Sequence, residues 1–422
     1  MTIESMYQQL VKSALEGTTD QKAKELLEAG EDPYHLDCLL HPEKHAAVWR
    51  TEQCACPRGG EPECVKSCVF GAIEKDEKGN VIIAADRCTG CSACLERCKD
   101  HKLIAGKDVL PVLSAVHKRD VPVFALIAPA FVGQYKGVSP GQLRTAFKRL
   151  GFAGMVEVAL FADILTLKEA LSFDHTIHNN QDYLLTSCCC PVWIAMIRKA
   201  YHQMSDHIPG SVSPMIACGR AIKKMYPDAM TAFIGPCIAK KAEAREADIA
   251  DAVDYVLTFQ EMRDVFQFAE IEVDKLEDDY RDHSSYAGRV YARSGGVSKA
   301  VETTLERISP KRKMGIRTKY VSGIPACRAL LNDLVEGNHD ANFLEGMGCV
   351  GGCVGGPKAI TEMEQGTQNV DEYAESAAHM TPIDNPFVVE ILNRLGYETV
   401  ESLLGHEDMF SRDLQAEMPK KK

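Results

Sequence analysis

The sequence predicts an α/β protein with largely parallel sheets, preceded by a small cysteine-rich domain. From about residue 120 onward, short apolar runs such as PVFALIAP, YLLTS and TAFIGP alternate with helical patterns such as GQLRTAFKRLGF. This alternation is typical of parallel sheets covered by helices. Upstream, residues 38–98 hold nine cysteines among proline, glycine and charged residues. Such a segment cannot build an apolar core alone, so bound cofactors must organise it.

The distribution of cysteines along the chain predicts four regions. Residues 1–37 contain no cysteine and read as helical, because MYQQLVKSALEG and QKAKELLEAG each end at a glycine, a common helix stop. We expect a helical segment over 1–37, a cysteine-rich domain over 38–110, a larger domain over 120–405 and a tail over 406–422. The last three residues, Lys420, Lys421 and Lys422, are expected to form a frayed end.

Composition narrows the class of protein. The 422 residues carry a net charge of −12, with 60 acidic against 48 basic side chains, which argues against nucleic acid or an anionic membrane as partner. We find neither a membrane-length apolar run nor a signal peptide, so we expect a cytoplasmic protein. In a cytoplasmic chain, 17 cysteines indicate metal binding or redox chemistry rather than disulfides.

The cysteine-rich segment predicts two 4Fe-4S clusters. Cys88, Cys91, Cys94 and Cys98 have the C-x2-C-x2-C-x3-C spacing of bacterial ferredoxins, whereas a zinc site usually takes two pairs. The upstream half is irregular, although CVKSCVFGAI resembles the closing half of a ferredoxin motif. We expect crossed ligand sets: Cys54, Cys56, Cys64 and Cys98 for one cluster, and Cys68, Cys88, Cys91 and Cys94 for the other. Cys38 is either a substitute for Cys54 or Cys56, or a free buried thiol.

Three further cysteine motifs follow strand-like runs in the larger domain. They read TSCCCPVW after DYLL, GPCIAKKAE after TAFI, and EGMGCVGGCVGGP after ANFL. Ligands of α/β sheets bind beyond the carboxyl ends of strands, so the three loops could converge on one cofactor. Helix N-termini after these loops would favour thiolates. Glycines in the third loop would let the backbone approach the cofactor closely.

These loops resemble the three signature loops of FeFe-hydrogenases, which read TSCCPxW, MPCxxKxxE and a glycine-rich C-xxx-C. APAF, FADILTLKEA and SGGVSKAVE also resemble family sequence, and the likeness spans residues 120–400. It implies a two-lobed FeFe-hydrogenase catalytic domain after a ferredoxin-like domain with two clusters. It also implies an H-cluster, in which a 4Fe-4S cubane joins a two-iron unit bearing CO, cyanide and azadithiolate.

The same resemblance implies the roles of single residues. The cubane ligands would be Cys190, Cys237, Cys349 and Cys353, with Cys353 as the bridging cysteine. Cys189 matches the proton-shuttling thiol, Lys240 a lysine that hydrogen-bonds cyanide, and Met347 a methionine beside the two-iron unit. Glu169 and Glu243 match relay glutamates. Without the motif, Lys240 and Glu243 would be interpreted as an i, i+3 pair on the surface of a helix, and Met347 as an ordinary core residue. Cys188, Cys218 and Cys327 match no family role and are expected to be buried thiols.

Several positions depart from the family pattern. Gly235 replaces a methionine, the third loop is one glycine short, and Ala130 replaces a serine of some members. Ser172 and Pro209 stand where the relay would continue with a glutamate and a serine. Because proline has no side-chain proton to pass, we expect the outer relay to be broken or rerouted, as in a divergent branch.

The resemblance implies reversible reduction of protons to H2 by a ferredoxin-dependent enzyme, with maturation proteins delivering the two-iron unit. Three alternatives stay open: a hydrogen sensor or low-activity homologue, a non-catalytic iron–sulfur assembly relative, and a plain electron carrier. Sensors usually add a signalling domain, for which there is no room. Assembly relatives tend to lose the thiol and the lysine that match Cys189 and Lys240, and a carrier would not need the larger domain.

Overall fold

The structure is a computed structural model that describes residues 1–52, 54, 61–77, 80–405 and 409–414. The expected frayed end at residues 420–422 lies outside these residues, as does Cys56. The N-terminal region is helical, as the sequence predicts, with α1 Ile3–Leu15, α2 Thr19–Glu28 and α3 Pro33–Leu40. Gly17 and Gly30 follow the first two helices with positive φ, which is the usual way for glycine to end a helix.

The cysteine-rich segment is built from short elements around two antiparallel strand pairs. Its elements are β1 Val48–Arg50, α4 Glu63–Lys66, β2 Ile73–Lys75, β3 Val81–Ile83, α5 Ala93–Arg97 and β4 Leu103–Ala105. Strand β1 pairs with β4, and β2 pairs with β3. The small apolar cluster of this segment contains six cysteines among its aliphatic side chains.

The larger domain is α/β with two parallel sheets, and this confirms the predicted fold class. Its first half contains α6 Val109–Lys118, β5 Val123–Ile127, α7 Pro140–Leu150, β6 Gly154–Glu157, α8 Ala159–Thr176, β7 Leu184–Thr186, α9 Pro191–Ala200, α10 Pro214–Met225 and β8 Met230–Gly235. Its second half contains α11 Ala239–Glu243, β9 Tyr255–Thr258, α12 Phe259–Phe268, α13 Tyr286–Arg289, α14 Gly296–Ile308, β10 Thr318–Ser322, α15 Ile324–Val335, β11 Phe343–Met347, α16 Met363–Glu375 and α17 Pro386–Leu395.

One sheet has the strand order β6-β5-β8-β9 and the other has β10-β11-β7, and every pairing in both is parallel. Each sheet has its own apolar core. Helix α8 packs against α10, α13 and α14 and is buried on nearly all faces. The buried residues of this helix include Lys168 and Glu169, so the helix places ionisable side chains in the centre of the protein. None of the described helices has the length and apolar character needed to cross a membrane.

Candidate active site

A cavity lies between the carboxyl ends of the two sheets, and five cysteines from three loops line it. Strands β7, β8 and β11 end at Thr186, Gly235 and Met347. The residues that line the cavity just beyond these ends include the predicted cubane ligands Cys190, Cys237, Cys349 and Cys353. The loops therefore converge as the sequence predicts, because parallel strands bring their carboxyl ends to one edge of a sheet.

The first two predicted ligands lie at the starts of helices. Cys190 is the N-cap residue of α9, whose first residue is Pro191, and Cys237 comes two residues before α11. The Cys190 sulfur accepts a hydrogen bond of 3.2 Å from the Gly348 backbone N–H, which joins the first loop to the third. Backbone N–H groups and helix N-termini favour a thiolate over a thiol, so both positions suit metal-binding sulfurs.

The third loop needs its glycines to lie this close to its neighbours. Gly352 has a φ of 91°, in the left-handed region, and a Cβ there would come within 2.6 Å of the Ser294 backbone nitrogen. A Cβ on Gly356 would lie 2.9 Å from the Pro236 side chain in the second loop. A side chain at either position would push the loop away from the cavity, so Cys349 and Cys353 depend on both glycines.

The four thiols form one electrostatic group and fit an iron–sulfur cluster. Burial, together with the charge of Cys190, raises the pKa of Cys237 to about 11, and burial with the charges of Cys237 and Cys190 raises that of Cys353 to about 12. Burial and then the charges of the other three ligands raise the pKa of Cys349. Within the described residues, no three His, Cys, Asp or Glu side chains converge closely enough to hold a single metal ion. Four cysteine thiolates are the usual ligand set of a 4Fe-4S cluster, and four thiols line this cavity.

Lys240 presents a buried ammonium group to the cavity. Its side chain is 8% exposed, and its Nζ lies 2.6 Å from Glu243 Oε2. The two atoms are in ion-pair contact but are poorly aligned, so Nζ has no well-directed hydrogen-bond partner among the described residues. Burial pulls the pKa of Lys240 down, but the Glu243 carboxylate and the charges of Cys237 and Cys189 together outweigh burial and leave the pKa raised. The group therefore stays charged and keeps N–H bonds for an acceptor in the cavity.

Cys189 and Met347 also line the cavity, beside the predicted ligands. Met347 is 2% exposed and ends β11, and the half-buried Cys189 comes directly before Cys190. Burial raises the pKa of Cys189, and the charges of Cys188 and Cys353 raise it further. Since this thiol keeps its proton at neutral pH in the metal-free protein, it is placed to hold a proton next to whatever occupies the cavity.

Cys188, rather than Cys189, contacts the buried carboxyl group of Glu169. The Cys188 Sγ donates to Glu169 Oε1 at 3.4 Å, and Thr186 Oγ1 contacts Glu169 Oε2. Glu169 is 1% exposed, and its burial raises its pKa to about 7. Cys188 is buried, as expected, but no role was predicted for it. Cys188 thus contacts this carboxyl group while the next residue, Cys189, lines the cavity, and the run of three cysteines was the signal in the sequence.

The structure shows the surroundings of three of the positions that depart from the family pattern. A Cβ on Gly235 would come within 2.7 Å of the Phe233 ring and 3.0 Å of Ala128 Cβ, so these side chains occupy the space of the expected methionine. The Ser172 hydroxyl donates to the Lys168 carbonyl at 2.8 Å and so points back along α8. Residues after Pro209 pair with the C-terminal segment, where Val212 N donates to Phe410 O at 3.0 Å.

The cysteines of the cysteine-rich segment gather in one apolar cluster with Ile238 of the larger domain. The described members are Cys54, Cys64, Cys68, Cys88, Cys94 and Cys98. Burial raises the pKa of Cys91, and the charges of Cys68 and Cys88 add to it. Cys68 thus lies near the cysteines with which it is expected to share a cluster. Cys38 is fully buried in the main core, hydrogen-bonds Tyr34, and is not part of this group.

Two parallel sheets whose carboxyl ends place four cysteines around one cavity define an iron–sulfur oxidoreductase of the FeFe-hydrogenase class. The family model described as iron only hydrogenase large subunit, C-terminal domain, matches residues 121–357, which is more than half of the chain. The chain therefore belongs to the FeFe-hydrogenase family.

Individual relatives agree with this assignment. Iron hydrogenase 1 of Clostridium pasteurianum is 28% identical over 256 residues, which cover 51% of this chain and 45% of the relative. The chain thus aligns with less than half the length of that relative. The NADP-reducing hydrogenase subunit HndD of Solidesulfovibrio fructosivorans is 24% identical over 440 residues, covering 86% of this chain and 74% of the relative.

Solved structures agree at the level of fold. An apo FeFe-hydrogenase of Chlamydomonas reinhardtii, crystallised as a cysteine-to-histidine variant, has a TM-score of 0.57 and 20% identity. The match covers 71% of this chain and 97% of that chain. The match to another FeFe-hydrogenase structure, from work on oxygen inactivation, has a TM-score of 0.56 and 19% identity and covers 72% of this chain and 98% of the other.

Proposed function

We propose that this protein is a hydrogenase that interconverts H2 with two protons and two electrons at an H-cluster held in the cavity. The observation that carries the proposal is that four thiols converge with two further groups. These are the Lys240 ammonium group, whose Nζ lacks a well-directed hydrogen-bond acceptor, and the protonated thiol of Cys189. A site for a cubane alone would need the four thiols only. The two additional groups support a larger occupant that accepts a hydrogen bond and exchanges a proton.

The residues that would hold the cofactor follow from this arrangement. Cys190, Cys237, Cys349 and Cys353 would bind the cubane, with Cys353 as the bridge to the two-iron unit. Lys240 would donate to a cyanide, and Met347 would pack beside that unit. When bound, the H-cluster supplies an open iron and a pendant amine at which H2 forms or splits. Because burial raises the pKa values of the ligand thiols, loading the site releases protons to solvent.

Protons would reach the cavity through Glu169, Cys188 and Cys189 in that order. Glu169 suits this task because a pKa of about 7 lets it gain and lose a proton near neutral pH. The contact of 3.4 Å between Cys188 Sγ and Glu169 Oε1 supplies the first transfer, and the neighbouring Cys189 faces the cavity. Glu243 holds the charge of Lys240 and is a second candidate acid on this side of the cavity.

Electrons would enter through the ferredoxin-like domain, which we assign to residues 38–110, with the catalytic domain over 120–405. Two 4Fe-4S clusters there would take electrons from a ferredoxin or a similar low-potential carrier, in a cytoplasmic protein. The close packing of the cysteine cluster on Ile238, next to Cys237, supports a direct electron path to the cubane. HndD is named for NADP reduction and another relative for the periplasm, so carrier and compartment need direct measurement.

A hydrogen-sensing or low-activity role is the second candidate. The observation that favours it is the altered outer relay, where Ser172 bonds back to its own helix and Pro209 has no hydroxyl group. Such a protein would hold the same cofactor but turn over slowly in both directions.

The proposal is tested by H2 evolution from a reduced dye, after expression with maturation proteins. We expect Cys189→Ala and Cys188→Ala each to retain the wild-type iron content and to lose most turnover, because each removes one thiol from the relay. Cys218→Ala is the matched control, since Cys218 is a fully buried thiol in the core away from the cavity. Full activity in Cys189→Ala would refute the shuttle. Full activity in Cys188→Ala alone would limit the relay to one thiol.

A further inference from the structure

Asp108 lies where the ferredoxin-like segment leads into α6, and its side chain is directed toward the larger domain. It stands at the N-cap position of α6 but makes no cap hydrogen bond. Both of its oxygens accept from Arg245 Nη2, at 3.1 and 3.2 Å, and Oδ2 also accepts from the Val256 backbone N–H at 3.2 Å. Since aspartate normally caps its own helix at this position, the long-range contacts have displaced a local one.

Lys241 completes a buried ionic group with Asp108. Its side chain is fully buried, and its Nζ donates to the Val256 carbonyl and lies 3.4 Å from Asp108 Oδ1 and 3.5 Å from Glu261 Oε2. We call Asp108, Lys241, Arg245 and Glu261 the Asp108 cluster. It contains two cations and two carboxylates, so it is neutral as a whole. Removing or separating one partner would leave a buried charge uncompensated, which is costly. The four groups are therefore held tightly in position relative to one another.

The helix that carries Lys241 lies between the two cysteine sites. Lys240 of α11 lines the cavity, next to the cubane ligand Cys237. Ile238, at the start of the same helix, packs among the cysteines of the ferredoxin-like segment. Gly90, between Cys88 and Cys91, approaches so closely that a Cβ there would lie 2.9 Å from both Ala239 Cα and Ile238 O. Any movement of α11 would therefore change the separation of the two sites.

The Asp108 cluster holds both ends of the ferredoxin-like segment against this helix. Arg245 Nη1 donates to the His45 carbonyl at 2.8 Å, and its Nη2 binds Asp108. His45 precedes β1 and Asp108 follows β4, and these two strands pair with each other. One arginine thus joins the entry and the exit of the segment to the residues that follow α11.

We propose that Asp108 and Lys241 are positioning residues for electron transfer: they hold loop 88–94 against the Cys237 loop and so set the gap an electron must cross. This proposal rests on one part of the proposed function, namely that both loops bind iron–sulfur clusters. The step moves one electron from the ferredoxin-like side to the cubane side, oxidising the first and reducing the second. No bond forms and no proton is transferred, so only the separation of the sites, their potentials and the intervening packing set its rate.

The first test is Asp108→Asn in the cluster-loaded protein, with Glu272→Gln as control. Asparagine keeps the size and an acceptor oxygen but leaves the Asp108 cluster with one excess positive charge, whereas Glu272 lies in an exposed ion pair with Lys275. We expect faster backbone hydrogen exchange in peptides covering 88–94 and 238–243, and a several-fold slower electron transfer between the sites. Iron content should match the wild type, and the control variant should change neither measurement.

Two further variants keep the proposal testable if Asp108→Asn folds poorly. Arg245→Gln alters a side chain that is 24% exposed and should show the same two effects more weakly. Adding Lys241→Met to Asp108→Asn makes the Asp108 cluster neutral again. The double variant should regain stability, but its electron transfer should stay slow. Unchanged exchange in both peptides, with an unchanged electron-transfer rate in a folded variant, would overturn the proposal. Hydrogen exchange does not require H2 turnover, so an inactive wild type would refute the hydrogenase assignment and leave this test intact.

Discussion

Replacing Glu169 with glutamine should change how the stability of this protein depends on pH. The Glu169 carboxyl group is fully buried, and burial raises its pKa from the ordinary value of 4.5 to about 7, despite hydrogen bonds from Thr186 and Cys188 that lower it. Between these values the folded protein holds a proton that the unfolded chain has released. Unfolding then releases a proton, so stability must fall as pH rises through this range.

The size of the effect follows from the same two values. The interval from 4.5 to about 7 corresponds to about 3 kcal/mol, at about 1.4 kcal/mol per pKa unit. Between about pH 5.5 and about pH 8, where the iron–sulfur clusters can be kept intact, about 2 kcal/mol of this would be lost. Above the folded pKa both states have lost the proton, so the free energy of unfolding should no longer change from this cause.

The assay compares the wild type with Glu169→Gln by denaturant unfolding across this pH range, and uses Glu272→Gln as an exposed control. The stability difference between wild type and Glu169→Gln should become less favourable to the wild type by about 2 kcal/mol as pH rises. The control difference should stay flat. Infrared spectra should also show a protonated carboxyl band at pH 6 that the variant lacks. A pH-independent difference and no such band would refute the raised pKa of Glu169 and its place in the relay.

Two other substitutions test the cavity directly. Lys240→Met should lower the free energy of unfolding by about 3–5 kcal/mol, because it leaves the 96% buried Glu243 side chain unpaired. It should also weaken retention of the two-iron unit while the cubane iron remains, as measured by iron content; equal retention would exclude the cyanide contact. Gly352→Ala should abolish cluster loading, since its Cβ would lie 2.6 Å from Ser294 N at a φ of 91°. Gly315→Ala, where a Cβ meets nothing within 4 Å, should load normally.

The sequence predicted the parts of this protein that depend on local pattern. The alternation of apolar runs and helical segments predicted parallel sheets, and both sheets are parallel. The position of each cysteine motif after an apolar run predicted that Cys190, Cys237 and Cys349 would meet, because strand ends of parallel sheets share an edge. Cys218 and Cys327 were predicted to be buried thiols, and both are fully buried.

The contacts that the sequence could not predict depend on backbone direction and on distant partners. Three consecutive cysteines do not indicate which thiol faces Glu169, because Ser187 before them has a φ of 74° and turns the chain in the left-handed region. Asp108 looks like a helix cap, but its partners lie over 130 residues away. Residues Met409–Leu414, expected to be part of a tail, pack on the larger domain through Arg412, which pairs with Glu246 and Asp248.

The most direct test of the central claim is infrared spectroscopy of the protein expressed with maturation proteins. If the cavity holds a two-iron unit beside the four thiols, the spectrum should contain bands of metal-bound CO and cyanide, and they should weaken or disappear in Lys240→Met. A preparation with full cubane iron, active maturation proteins and no such bands would contradict the account, and would leave a protein that holds iron–sulfur clusters only.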